Sequence, residues 1–304
     1  MARTYADSGL SHLTNSLASP IQLETSNSRL DGVPKDLETS IHYETARLLQ
    51  AAGILLRLPQ ELVAQSIVVL YRFWVGPDGG SLVEHDSTEQ DVAAASLYLC
   101  AKPSAHAISP SQTLTVFHYL SRIRPEYSTT AKQDNPSENI DWHLSEGDLE
   151  IARNRLYKVE STILRVLGFQ THVALPYSLC INYLQTLDAS SSTAGSAVAK
   201  RAFAHLNVAL FSPQMLYLTY QPSAIATAAI YLAARETDIS LPETEWWEVF
   251  DVDREDLGFL VVALRSVEGF AEDEQRKWGQ RKVPLTVDEL RAELERRTML
   301  ENGE

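Results

Sequence analysis

Lys102 and Glu160 stand apart from their surroundings in a way that could do chemistry. Lys102 closes the run "ASLYLCAK" (95–102) as its lone charge. Glu160 lies in "VESTILRVLGF" (159–169). On a helix of about 100° per residue, Leu156, Val159, Ile163, Leu164 and Leu167 form one broad apolar face. Glu160 falls inside that face, between Leu164 and Leu167. An ionised carboxylate there is costly unless it is paired. Ordinary accounts exist for each residue. Glu160 can reach water at the edge of the face, or pair with Lys158 or Arg165. Lys102 gains about 0.3–1 kcal/mol as a cation at a helix C-terminus. A third account joins the two. If their helices pack side by side, the amine and the carboxylate meet. They then offer one donor and one acceptor from an apolar surface. Such a clasp suits the main chain of a protein partner, because interfaces set polar points within a hydrophobic patch.

No catalytic constellation accompanies the pair. "GPDGGS" (76–81) lacks the Lys-Ser/Thr of a phosphate-binding loop. The eight histidines are scattered, and Glu84-His85-Asp86 lacks metal-ligand spacing on one element. No nucleophile is matched to a base. Trp246-Trp247 fits the core and rim of an amphipathic segment better than a binding platform. Cys100 and Cys180 each sit in an apolar run, where a thiol is a small hydrophobe. Two isolated cysteines make neither a disulfide framework nor a zinc site, which fits a reducing, intracellular compartment. The reading is a protein with no catalytic residues, no cofactor and no metal.

Net charge is −14. Nucleic-acid binding needs a basic face that displaces counterions, so a protein partner is the better expectation. No stretch reaches about 18 consecutive apolar residues, so no helix is expected to cross a membrane. The first thirty residues lack a basic start followed by an apolar core, so secretion is not expected.

The elements that must position the pair are helices. Residues 1–33 carry no clear periodicity and read as a flexible arm. Helical patterning starts near Leu37 and runs through "ETARLLQAAGILLRL" to Pro59. Pro59 ends that helix and opens the next, "QELVAQSIVVLYRFW". A third helix is expected over 87–102, capped by Asp86 or Ser87, and apolar or small all round, hence buried on every side. A fourth spans about 110–121. Residues 123–146 read as a loop insertion. The fifth runs from Ser145 to Leu167, with Gly168 as its C-terminal cap. The pattern then restarts. "YSLCINYLQTL" opens a second series after Pro176, a Ser-rich linker (189–196) follows, and further helices fall at 197–211 and 222–236. "ETEWWEVF" reads as a short fourth helix and "DREDLGFLVVALRSVEGF" as a fifth. One more amphipathic helix (286–300) lies in the charged tail.

The central helix is written twice. "ASLYLCAK" (95–102) is matched by "AAIYLAAR" (228–235), and upstream Val92 faces Ile225 and Ala93 faces Ala226. That period is far above solenoid repeat lengths. The chain therefore reads as all-α, with one five-helix unit duplicated.

These stretches resemble the cyclin family, whose fold is two five-helix cyclin boxes in tandem. "AAGILLRLPQ" (51–60) is very similar to the opening of the first box in L-type cyclins. "YRFW" (71–74), "AAASLYLCAK" and "VESTILRVLGF" resemble later parts of that box. "AIYLAARETDISLP" and "WWEVF" are similar to the second box of L-type and M/Q-type cyclins. The resemblance covers about residues 35–270. It implies a first box at 34–170, a second at 171–272 and a charged tail with a short helix at 273–304. It implies that Lys102 and Glu160 bond the backbone of a cyclin-dependent protein kinase in a heterodimer. It also implies that Phe169 packs against that kinase, with a helix-end core contact as the equal alternative. Leu164 and Leu167 would be shared between core and interface, while Arg72 and Phe73 read as structural. The family's lysine is usually followed by an aliphatic residue and two glutamates; here Pro103, Ser104 and Ala105 follow.

The resemblance thus implies a regulatory, activating kinase subunit of the transcription-associated type, nuclear, with the cytoplasm also open. Two alternatives stand beside it. One is a cyclin-fold general transcription factor core of the TFIIB-like kind, which would want a basic second lobe. The other is a non-activating scaffold that kept the fold.

Overall fold

The computed structural model describes residues 12–76, 78–83, 88–123, 144–187, 193–279 and 281–301. The Glu84-His85-Asp86 triplet, the expected caps Asp86 and Ser87, most of the 123–146 insertion, and residues 189–192 of the Ser-rich linker lie outside them. Among the described residues every regular element is a helix. The chain divides into two units. The first comprises Pro20–Thr171 with Phe270–Glu304. The second comprises the segment ending at Ser19 with His172–Gly269.

The first unit is built around α5 (Glu89–Ala101). Four helices pack on it: α3 (Lys35–Leu55), α4 (Gln60–Val75), α6 (Pro110–Ile123) and α7 (Glu146–Val166). Val92, Ala93, Ala95, Leu97 and Ala101 are all fully buried. The alanines let neighbouring helices approach closely, which explains a run that is small or apolar on every side. Thr88 caps α5, one residue past the expected caps. Its hydroxyl accepts from the Asp91 amide at 3.2 Å, and the Asp91 carboxylate accepts from the Thr88 amide at 3.4 Å. This reciprocal box satisfies two otherwise orphaned amides. Pro59 stands at the cap between α3 and α4. In the "GPDGGS" turn, a side chain at Gly79 would run into the Phe73 carbonyl oxygen. The glycine is there for packing against the buried end of α4.

The second unit repeats the arrangement around α11 (Pro222–Glu236). α8 (Tyr177–Thr186), α9 (Thr193–Ala209) and the four-residue α10 (Leu216–Thr219) pack on it. Ile225, Ala226, Ala228 and Ile230 are buried in the positions their α5 counterparts hold. "WWEVF" is a 3₁₀ turn, Trp246–Phe250, and not an α-helix. Trp246 is buried and Trp247 half-buried, as core and rim. The last α-helix of the series, α12 (Arg254–Trp278), is longer than expected, so a boundary at 272 falls inside it. Pairs Arg276–Asp273 and Lys277–Glu274 at i,i+3, and the Trp278 indole donating to Glu274 at 3.1 Å, carry it through its charged end. α13 (Val287–Glu301) follows and belongs to the first unit, with Glu293 gathered by Arg281, Arg296 and Arg297.

The segment expected as a flexible arm is structured from His12 onward. It holds two short helices, α1 (Pro20–Glu24) and α2 (Asn27–Leu30). Its ordering comes from polar side chains and not from an apolar period. In the second unit, Asn15 is buried; its amide donates to the Ala174 carbonyl at 2.8 Å and accepts from the Ala174 amide at 2.9 Å. Its backbone is matched in the same way by the Gln221 side chain, at 3.0 Å in both directions. Asn15→Ala strands the Ala174 amide and carbonyl and should cost about 1–3 kcal/mol. A melting temperature equal to wild type would show that the segment is held elsewhere.

Candidate protein-binding site

The sequence leaves open whether Lys102 and Glu160 meet. They do. The Lys102 ammonium donates to Glu160 Oε1 at 3.1 Å, at the end of α5 where it packs on α7. Glu160 is buried, while the Lys102 side chain is 55% exposed. The bond to Glu160, outweighing slight burial, holds the Lys102 amine above its usual range. Arg165 bonds the Ser161 carbonyl and Thr162 hydroxyl within its own helix. After Lys102 the chain turns at once, with the Ser104 amide and hydroxyl both donating to the Ala101 carbonyl.

Leu164 and Leu167 are half-buried beside fully buried Ile163, so each presents part of its surface. α7 then ends in a Schellman arrangement. The Gly168 amide donates to the Arg165 carbonyl at 3.1 Å, and the Phe169 amide to the Leu164 carbonyl at 2.8 Å. Gly168 takes φ +55°, as that motif requires. Phe169 is also left-handed, at φ +62°, and its side chain is 71% exposed. A helix-end core contact is therefore excluded for Phe169. A bulky residue at positive φ costs on the order of 1 kcal/mol or more, and this one recovers nothing by burial. Phe73 is core and Arg72 half-buried, in line with structural roles.

Phe169→Gly should raise the melting temperature or leave it unchanged, since glycine adopts positive φ without penalty. A loss of several degrees would assign the ring a packing role that its exposure denies.

The opposite end of α5 is fixed by a network that periodicity does not reveal. His42 on α3 lies 3.0 Å from Glu89 and 3.8 Å from Glu38. Glu38 also accepts from the Ser26 hydroxyl, and from Arg29 at 2.6 Å. Burial alone would lower the His42 pKa, but the Glu38 and Glu89 carboxylates hold it at about 9. Burial likewise opposes ionisation of Glu38, yet His42, Ser26 and Arg29 bring it down to about 2. Cys100 and Cys180 are free, and burial pushes both thiols up to about 12. Among the described residues no cluster of three or more His, Cys, Asp or Glu could hold a metal, and no helix is long and apolar enough to cross a membrane.

No family model matches the chain. Curated relatives do, along most of it. Cyclin-L1 of Danio rerio is 29% identical over 285 residues, which is 92% of this chain and 53% of that protein. Cyclin-L1 of Homo sapiens is 30% identical over 261 residues, 86% of this chain and 45% of that one. The chain is similar to cyclins of the L type along most of its length. It spans about half the length of the curated relatives it matches. Its fold is shared with a chain of the yeast RNA Pol II CTD kinase CTDK-1 complex. There the TM-score is 0.64 at 15% identity, over 94% of this chain and 84% of that one. A chain of the CAK complex from Chaetomium thermophilum gives 0.60 at 16% identity, over 94% and 91%. The architecture is all-α with two tandem cyclin boxes, and the candidate site lies at the end of the central helix of the first.

Proposed function

We propose that this chain is a cyclin, the regulatory, activating subunit of a cyclin-dependent protein kinase that acts in transcription or RNA processing, in the nucleus. It is not itself an enzyme. The kinase-binding residues are Lys102, Glu160, Phe169, Leu164 and Leu167. The observation that carries this reading is the 3.1 Å Lys102–Glu160 pair, with its amine open to solvent beside half-buried leucines. Lys102 keeps the buried Glu160 carboxylate paired, while its own half-exposed end adds only about 0–1 kcal/mol in the manner of an exposed pair. The half-exposed amine is placed to hold a partner's main chain, donating to a carbonyl while the carboxylate accepts from an amide. The names of the similar proteins support a transcription kinase as the partner class. Activation follows if the first box binds the active position of the kinase's regulatory helix more tightly than the inactive one. That position completes the Lys–Glu pair on which phosphoryl transfer depends.

The test is capture of cyclin-dependent kinases by the purified chain, followed by a phosphorylation assay. A kinase that is bound and gains activity on binding is the expected result. Binding without activation would favour a scaffold. A retarded DNA band with no kinase bound would favour the general transcription factor.

A further inference from the structure

Two tyrosines lie against the clasp. The Lys102 ammonium sits 5.4 Å from the centroid of the Tyr98 ring, one helical turn back on α5. Tyr98 is buried, and its ring meets that of Tyr157 on α7 at 6.3 Å. Tyr157 is 42% exposed. It precedes Glu160 by three residues and Leu164 by seven, so all three share one side of α7. A lysine ammonium carries three donors. Glu160 takes one, and the face of an electron-rich ring attracts the cation from below. The remaining hydrogens are left for a second acceptor.

We propose that Tyr98 and Tyr157 complete the clasp: the Tyr98 ring seats the Lys102 amine, and the exposed edge of Tyr157 is a further contact for the partner. Three observations converge on this arrangement. A long, half-exposed lysine is held at two points, by a carboxylate and by a ring. The ring that seats it is buried and has no other charge above it among the cation–ring contacts described. The second ring continues the seat out to the surface. A tyrosine brings a large, rigid contact area and a polar tip, which is why aromatic residues are enriched where partners dock. The partner surface then runs along α7 from Tyr157 past Glu160 to Leu164, and ends at Phe169. The Tyr157 contact rests on the kinase reading above; the Tyr98 seat does not.

Four variants separate these parts: Tyr98→Leu, Tyr98→Phe, Tyr157→Ala and Tyr157→Phe. In the isolated protein, the Lys102 side-chain methylene protons are followed by NMR with labelled lysine. Tyr98→Leu should abolish their ring-current shift, while Tyr98→Phe should keep it. Affinity is then measured for a recombinant cyclin-dependent kinase, chosen from a panel by its binding to the wild-type chain. Tyr157→Ala should weaken binding at least tenfold, without moving the Lys102 resonances, and Tyr157→Phe should restore most of it. A Lys102 signal indifferent to Tyr98→Leu would overturn the seat. Wild-type affinity for Tyr157→Ala would overturn the contact while leaving the kinase reading intact. If the wild-type chain binds no kinase in the panel, the kinase reading and the Tyr157 contact fall together, and the NMR result still decides the seat.

Discussion

His42→Leu should lower the stability of the first lobe by about 3–5 kcal/mol, because it leaves two carboxylates buried without the cation between them. Both Glu38 and Glu89 are buried, and among the described residues Glu89 Oε2 has no hydrogen-bond partner. The loss should reach the N-terminal segment as well, since Glu38 is also what Ser26 and Arg29 bind. The same network sets a pH dependence. The folded His42 pKa of about 9 lies above its ordinary 6.5, so its contribution is complete below pH 6.5 and is lost as pH rises towards 9. Glu38 works in the opposite sense. Its folded pKa of about 2 lies below 4.5, so its contribution is complete above pH 4.5 and is lost as pH falls towards 2. The network is therefore strongest between about pH 4.5 and 6.5. Denaturant unfolding at a series of pH values should show stability falling from pH 6.5 to 9 by a few kcal/mol, and His42→Leu should flatten that decline. A wild-type profile that is flat over this range would mean that His42 is neutral when buried.

The parts of the fold that follow a period are the parts the sequence displays. α5 and α11 are legible because each is apolar or small on every side and each is written in nearly the same letters. Pro59 and Gly168 mark helix ends because proline pushes the residue before it out of the helix, while glycine takes the positive φ of a helix cap without penalty. Glu160 is legible as a charge inside an apolar stripe. What the stripe cannot say is which cation it meets, because Lys102 comes from another helix and the distance is a matter of packing. The polar long-range pairs leave no period at all. Asn15 with Ala174, and His42 with Glu38 and Glu89, are ordinary polar residues until the chain brings them together. For that reason the N-terminal segment reads as an arm although it is pinned. The Thr88 cap is legible too, since Asp91 follows it by three residues in the capping-box pattern. The exposure of Phe169 is not, because a Gly-Phe pair after a helix is compatible with a ring turned inward or outward. Tyr157 escaped for a similar reason: on the sequence it is one more aromatic beside an apolar face.

Reversing either charge of the clasp should abolish kinase binding and leave the protein folded. Loss of a hydrogen bond to a charged group costs about 1.5–3 kcal/mol, and placing the wrong charge against the partner adds to it. Each single reversal should therefore weaken affinity by tens of times or more, at about tenfold per 1.4 kcal/mol. The double reversal is the decisive arm. Lys102 and Glu160 bond each other, so swapping them can restore their own ion pair and any stability it supplies. It cannot restore a donor facing the partner's carbonyl and an acceptor facing its amide. The measurement is the affinity of a bound cyclin-dependent kinase for Lys102→Glu, Glu160→Lys and the two combined, each with its melting temperature. A folded double variant that still fails to bind is the predicted result. Affinity recovered in the double variant, or unchanged in both singles, would contradict the clasp.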